Sequence, residues 1–226
     1  MFAYIHRLNK QISQYNYLKS LIISYRYYVE EWLNKTIKDI EAEANASSEG
    51  EEDKEIKASI FSSISSQGVH CAYDKIDSED ELFYKAMLIM VYSYYEGILN
   101  KMAADAEVKV VRPSIICEKY GKVLSKENKE NATFLYDIIR LLRNHLCHND
   151  SGTKGRNYEK TAKALKYLSE SRCIEMDYQT NSEGQIILEK CSIYWINEDF
   201  ILDVLNKEHD ILIELSEIAG YKNTYI

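Results

Sequence analysis

Three residues near the middle of the chain have the types and spacing for proton transfer beside an anion: Arg143, Asn144 and His148. An imidazole titrates near neutrality, so His148 suits a proton-transfer role. A guanidinium stays charged and offers two parallel hydrogen bonds, so Arg143 suits a phosphate. Asn144 lies one helical turn before His148 and can orient it. Arg140, Asn144 and His148 recur at i, i+4 and i+8, which makes one polar stripe on a helix. At about 100° per residue, Leu135, Ile138, Ile139, Leu142 and Leu146 form the apolar face opposite. Arg143 flanks the stripe on one side. Phe134 and Leu141 flank it on the other, off the core face, as a second packing surface. Glu96, a lone acid on an apolar helix, is read as facing Arg140 or Arg143 and orienting it; the alternative is a plain surface position. Arg140 has two readings, a phosphate contact or a structural ion pair. For Arg143 and His148 the competing reading is a solvated or salt-bridged helix end.

The run Arg143-Asn144-His145-Leu146-Cys147-His148 resembles the signature of the HEPN superfamily: an arginine, often followed by a polar residue, here Asn144, then a histidine after a short spacer, here the four residues Asn144 to Cys147. The preceding helix carries Tyr94-Tyr95-Glu96-Gly97-Ile98-Leu99 and is similar to one in stand-alone, defence-type members, where a glutamate follows an aromatic residue. The resemblance covers Asp80 to Arg172. It implies an all-α domain, a homodimer, and a metal-independent endoribonuclease of the toxin or antiviral-defence type. Such an enzyme needs a base for the ribose 2′-OH, an acid for the departing 5′-oxygen, and cations for the charge on the phosphate. The resemblance assigns these roles to His148 and Arg143. It gives Asn144 the orienting of His148 or the holding of the 2′-OH, with Glu96, Arg140 and His145 in support. Two copies of the motif would meet across the dimer, with Phe134 and Leu141 as the apolar contacts. RNA and an antitoxin or defence-system protein are the implied partners. Some relatives carry a tyrosine two residues after the histidine, where a nucleotidyltransferase antitoxin modifies them. Here that position is Asp150. The other class of function compatible with the same groove is a non-catalytic helical module binding RNA, a nucleotide or a protein partner.

Other chemistries fit less well. A structural zinc site needs four ligands. His145, Cys147 and His148 would have to recruit Cys173 or Cys191 from far along the chain. Cys147 as a nucleophile would need a histidine facing it, and adjacent residues on a helix point apart. Ser151-Gly-Thr-Lys-Gly155 lacks the order of a phosphate-binding loop, and no strand precedes it. No metal and no cofactor are therefore expected.

The elements that must position these residues read as mainly helical. One proline and 8 glycines in 226 residues favour long uninterrupted helices. Phe2 to Ala42 reads as an amphipathic helix, Ala44 to Asp53 as an acidic linker, and Glu55 to Ser66 as a short helix. Gln67 to Asp77 reads as a loop, and Ser78-Glu-Asp-Glu81 as the capped start of a helix running to about Ala106. Pro113 opens a short helix closed by Gly121. After the motif, Asn149 to Gly152 breaks the helix and Tyr158 to Ser171 forms the next one. Cys173 to Tyr178 and Gln185 to Tyr194 read as a β-hairpin about Asn181-Ser-Glu-Gly184, and Glu198 to Ala219 as a last helix. The expected fold is all-α, a HEPN-like helical bundle, with a small β-hairpin near the C-terminus. Its parts are 1–77 (N-terminal helix, linker and loop), 78–172 (helical core) and 173–226 (hairpin and final helix).

Composition narrows the setting. A net charge of −8 argues against wholesale nucleic-acid binding. A local basic patch is compatible with it, and Lys154, Arg156, Lys160, Lys163 and Lys166 supply one beside the motif as a candidate RNA-binding face. No apolar run reaches the length of a membrane span, and Met1 to Ile23 has no signal-peptide pattern. Five scattered cysteines fit reduced thiols in a cytoplasm rather than a disulfide framework.

Overall fold

A computed structural model describes residues 2–148 and 156–220, with side chains at all of these but 2–9, 11, 13, 148 and 156. The fold is all-α with one antiparallel hairpin near the C-terminus. The helices are α1 (Phe2–Ser48), α2 (Lys54–Asp105), α3 (Pro113–Lys119), α4 (Lys126–Phe134), α5 (Arg140–His148), α6 (Arg156–Glu170) and α7 (Glu198–Ile218). A π-helical turn, Leu135–Ile139, joins α4 to α5 without a break. The strands are β1 (Ile174–Thr180) and β2 (Ile186–Ile196). The chain divides into two compact units, Leu21–Phe83 and the combination of Met1–Ser20 with Tyr84–Ile226. α1 and α2 contribute residues to both.

In Leu21–Phe83 the two helices run antiparallel about the turn at 49–53. Tyr25 stacks on Phe83 with ring centroids 3.6 Å apart and donates a hydrogen bond to Asp80 at 2.9 Å. Lys75 sits 4.8 Å above the Trp32 ring. Gly68 lies against Ile40 so closely that a Cβ there would stand 2.7 Å from Ile40 Cγ2. Asp53 caps α2 by accepting from the Glu55 backbone N–H at 2.8 Å. The expected loop at Gln67 to Asp77 and helix start at Ser78 are not found: α2 is continuous through both. Ser78 Oγ donates to the Asp74 carbonyl, one turn back, instead of capping. Ala72 and Ile76 are buried in this stretch, and that packing outweighs the local preference of Ser78-Glu-Asp-Glu81 for a helix end.

The larger unit is built on α7, which buries Phe200, Ile201, Val204, Leu205, Ile211, Leu212 and Leu215. Asn197 caps it, accepting from Asp199 N–H at 2.8 Å. Glu214 of α7 holds the start of α4, accepting from Ser125 Oγ at 2.9 Å and Asn128 Nδ2 at 2.7 Å. Pro113 begins α3, and Gly121 follows that helix with φ +65. The hairpin turns where Asn181 Oδ1 accepts from the Glu183 and Gln185 N–H groups and Gly184 takes φ +74. Irregularities between Glu175 and Met176 and between Tyr178 and Gln179 shift its register. The hairpin meets α6 through Tyr158, whose hydroxyl accepts from Leu188 N–H at 2.8 Å and donates to Glu189 at 2.9 Å.

Candidate functional site

The motif residues all lie on α5, which follows a π-helical turn without a break. The Arg140 backbone N–H bonds the Leu135 carbonyl, five residues back rather than four. An extra residue in one turn rotates everything downstream by roughly 100° from a regular helix. Burial along α5 differs from the expected faces. Leu141, read as off the core, is 3% exposed and is part of the core. Ile138 and Leu146, read as core, are half-buried, while Leu135, Ile139 and Leu142 are buried as expected. Phe134 is half-buried. Leu141 is thus spent within its own chain and is not available as a dimer contact.

Arg143 pairs with Glu96 of α2, its Nη2 bonding Glu96 Oε2. The guanidinium carbon lies 5.4 Å from the centre of the Tyr92 ring, a cation–π contact. The Arg143 side chain is 18% exposed and Glu96 35%, so the pair is mostly shielded from water, at the margin of the core. Of the two arginines that Glu96 was expected to face, it meets Arg143. Burial raises the Tyr92 phenol, and the Glu96 charge adds to the effect, so Tyr92 stays neutral and acts as a ring surface. Asn144 is half-buried, and His145 is buried at 5% exposure on the core side. His148 ends α5 one turn after Asn144, and its side chain lies outside the described residues.

Among the described residues Arg140 is bonded to no carboxylate, so the structural ion pair, one of its two readings, is not found there. Its Nε donates to the Tyr136 carbonyl at 3.1 Å. In a regular helix that carbonyl would receive the Arg140 backbone N–H, which the π-turn sends to Leu135 instead. The guanidinium carbon then stands 4.4 Å from the Tyr136 ring centre. Arg112, held extended ahead of Pro113, stands at the same 4.4 Å from that ring. Two such contacts at exposed positions are worth roughly 0.5–1 kcal/mol each. The two cations lie no further apart than twice that distance, so their repulsion in water is at least about 0.5 kcal/mol. The ring contacts work against that repulsion, and the positive charge of the pair is left to solvent. Arg112, hydrogen-bonding to the Tyr136 phenol, brings its pKa below the ordinary value; burial opposes this and Arg140 assists. Beside the cluster is a cavity of about 120 Å³, lined in part by Tyr92, Tyr95, Glu96, Asn100, Tyr136 and Arg140. Arg112 and Tyr136 were missed in the sequence. Tyr136 and Arg140 at i, i+4 were a legible aromatic–cation pair, but nothing local to Arg112 marked it.

Of the basic patch, Lys160, Lys163 and Lys166 lie exposed on α6, and Lys166 approaches Glu170 at 3.9 Å. Lys154 and the side chain of Arg156 lie outside the described residues. Cys147 is exposed, Cys173 half-buried, and Cys191 buried with its Sγ 3.6 Å from Met176 Sδ. Among the described residues no three His, Cys, Asp or Glu side chains are grouped to hold a metal ion, and no helix is long and apolar enough to cross a membrane. Compared with known proteins, the chain matches no family model, no curated protein and no solved structure.

Proposed function

We propose that the protein is a HEPN-like, metal-independent endoribonuclease of the toxin or defence type, with Arg143, Asn144 and His148 as its reacting groups. The observation that carries this reading is the Glu96–Arg143 pair. An arginine fixed by a carboxylate on a neighbouring helix, with a ring beneath it, is preorganised to meet a phosphate rather than left to wander in solvent. The adjacent Asn144 lies one helical turn before His148. In this mechanism the imidazole takes the 2′-OH proton, the 2′-oxygen attacks the phosphorus, and the 5′-oxygen leaves with a proton from a second acid. Arg143 balances the charge on the phosphoryl oxygens. Arg143 and His148 lie at i, i+5, about 140° apart on a regular helix, so one copy cannot enclose a phosphate from both sides. A second copy across a two-fold axis would supply the missing acid, which makes a homodimer part of the proposal. Lys160 and Lys163 on α6 then track the RNA backbone.

The test is incubation with mixed single-stranded RNA in EDTA. The expected result is cleavage to 2′,3′-cyclic phosphate ends, with DNA of the same sequence left intact because it lacks the 2′-OH. Cleavage that needs an added divalent metal would overturn the mechanism. One observation favours the second reading, a module that binds without cutting: Arg143 is largely buried and already paired. Its signature in the same assay is RNA that is bound and recovered whole.

A further inference from the structure

The cluster of Arg112, Tyr136 and Arg140 has no part in the cleavage steps above. We propose that it is a second phosphate seat, which holds the phosphodiester next to the one cut on a single strand of RNA. The identity of the strand rests on the ribonuclease reading.

Four observations carry it. First, two guanidinium carbons each lie 4.4 Å from one ring centre, and among the described residues neither arginine is bonded to a carboxylate. Second, among the described residues Arg140 hydrogen-bonds through Nε alone, to the Tyr136 carbonyl that the π-turn leaves free. Its two terminal nitrogens remain for an oxyanion, which a guanidinium grips with two parallel bonds. Turns of this kind are rare in helices and concentrate at functional sites. Third, the adjoining cavity of about 120 Å³ has the Tyr92, Tyr95 and Tyr136 rings and the Asn100 amide in its walls. Aliphatic residues complete the lining, and Asn100 donates Nδ2 to the Glu96 carbonyl at 2.8 Å, which leaves its Oδ1 as the acceptor. Three tyrosines with one amide oxygen suit an unpaired base, which stacks and presents its edge, and only a single strand offers one. Fourth, the cavity is continuous with the motif. Tyr92 and Glu96 line it, and these same residues hold Arg143. Glu96 is the carboxylate in its wall and is committed to Arg143; Asp137, next to Tyr136, is exposed.

The experiment is fluorescence anisotropy with a labelled single-stranded RNA carrying 2′-O-methyl groups, which the protein cannot cut, read across a salt series. Arg112→Gln is the main variant, because Arg112 is exposed and outside the motif helix. Arg140→Gln is the second, with circular dichroism to verify the fold of both. Each should bind several-fold more weakly, with the salt slope reduced by roughly 0.7, the share of one phosphate on a single strand. Unchanged affinity and slope in both variants overturns the seat, whatever the wild type does to unmodified RNA. A wild type that does not bind the RNA overturns it too. Arg112-dependent binding by a protein that leaves unmodified RNA whole in EDTA supports the seat and removes the ribonuclease reading. Adenosine monophosphate displacing the RNA at equal concentration would overturn the assignment to a strand, and a duplex competing as well as the single strand would overturn the base in the cavity.

Discussion

Glu208 is the residue whose chemistry depends most on its surroundings. It lies fully buried in α7, with Oε2 accepting the Tyr15 hydroxyl at 3.2 Å and Oε1 without a partner. Burial drives its pKa well above the ordinary carboxyl value; the Tyr15 hydrogen bond pulls the other way, and the charge on Glu96 adds to the rise. Burial thus favours the neutral form of Glu208, which spares the Glu96–Arg143 pair a second negative charge. The folded state retains a proton that the unfolded chain gives up, so stability falls as pH rises through and above the ordinary carboxyl range. While the folded state keeps that proton, the slope is at most about 1.4 kcal/mol per pH unit. Glu208→Gln keeps an acceptor for Tyr15 and has nothing to titrate. It should unfold at a higher urea concentration than wild type near pH 8, with the gap closing near pH 5. Equal midpoints at both values would mean that Glu208 is ionised in the fold.

At the scale of the element, what α5 buries departs from the face that its helical period marks. A regular helix would bury Ile138 and Leu146 and leave Leu141 at the margin. The structure buries Leu141 and half-exposes the other two. Leu141→Ala should therefore cost about 2–5 kcal/mol, the usual range for a leucine removed from a packed core. Ile138→Ala should cost clearly less. Chemical denaturation of the two variants reads the difference directly, and the reverse order would restore the expected face. The π-turn Leu135–Ile139 frees the Tyr136 carbonyl for Arg140 Nε, so the backbone irregularity and the cationic cluster are linked.

At the scale of the molecule, Leu21–Phe83 depends on a close approach that the larger unit does not share. Gly68 touches Ile40, whereas Gly97, also within α2, has no atom within 4 Å of the position a Cβ would take. Alanine in place of glycine inside a helix ordinarily stabilises by about 1 kcal/mol. Gly97→Ala should show that gain. Gly68→Ala should lose it to the clash and lower amide-exchange protection within Leu21–Phe83 before protection elsewhere changes. Equal gains from both substitutions would show that the two helices do not pack at Gly68.

The sequence by itself determined the features whose chemistry is local. Pro113 at a helix start, Gly121 and Gly220 after helix ends with φ +65 and +74, and Asn181 bonding the backbone of its own turn act within a few residues, so they are legible in order along the chain. The helical period of α7 and the hairpin were readable for the same reason. Tertiary structure decided what local chemistry leaves open. Ser78-Glu-Asp-Glu81 has the composition of a helix start, yet packing within Leu21–Phe83 carries α2 straight through it. Glu96 had two arginines within plausible reach, and the placement of α2 against α5 selected Arg143. Arg112 reaches the Tyr136 ring only because α3 and the π-turn come together in space, and no spacing along the chain encodes that meeting.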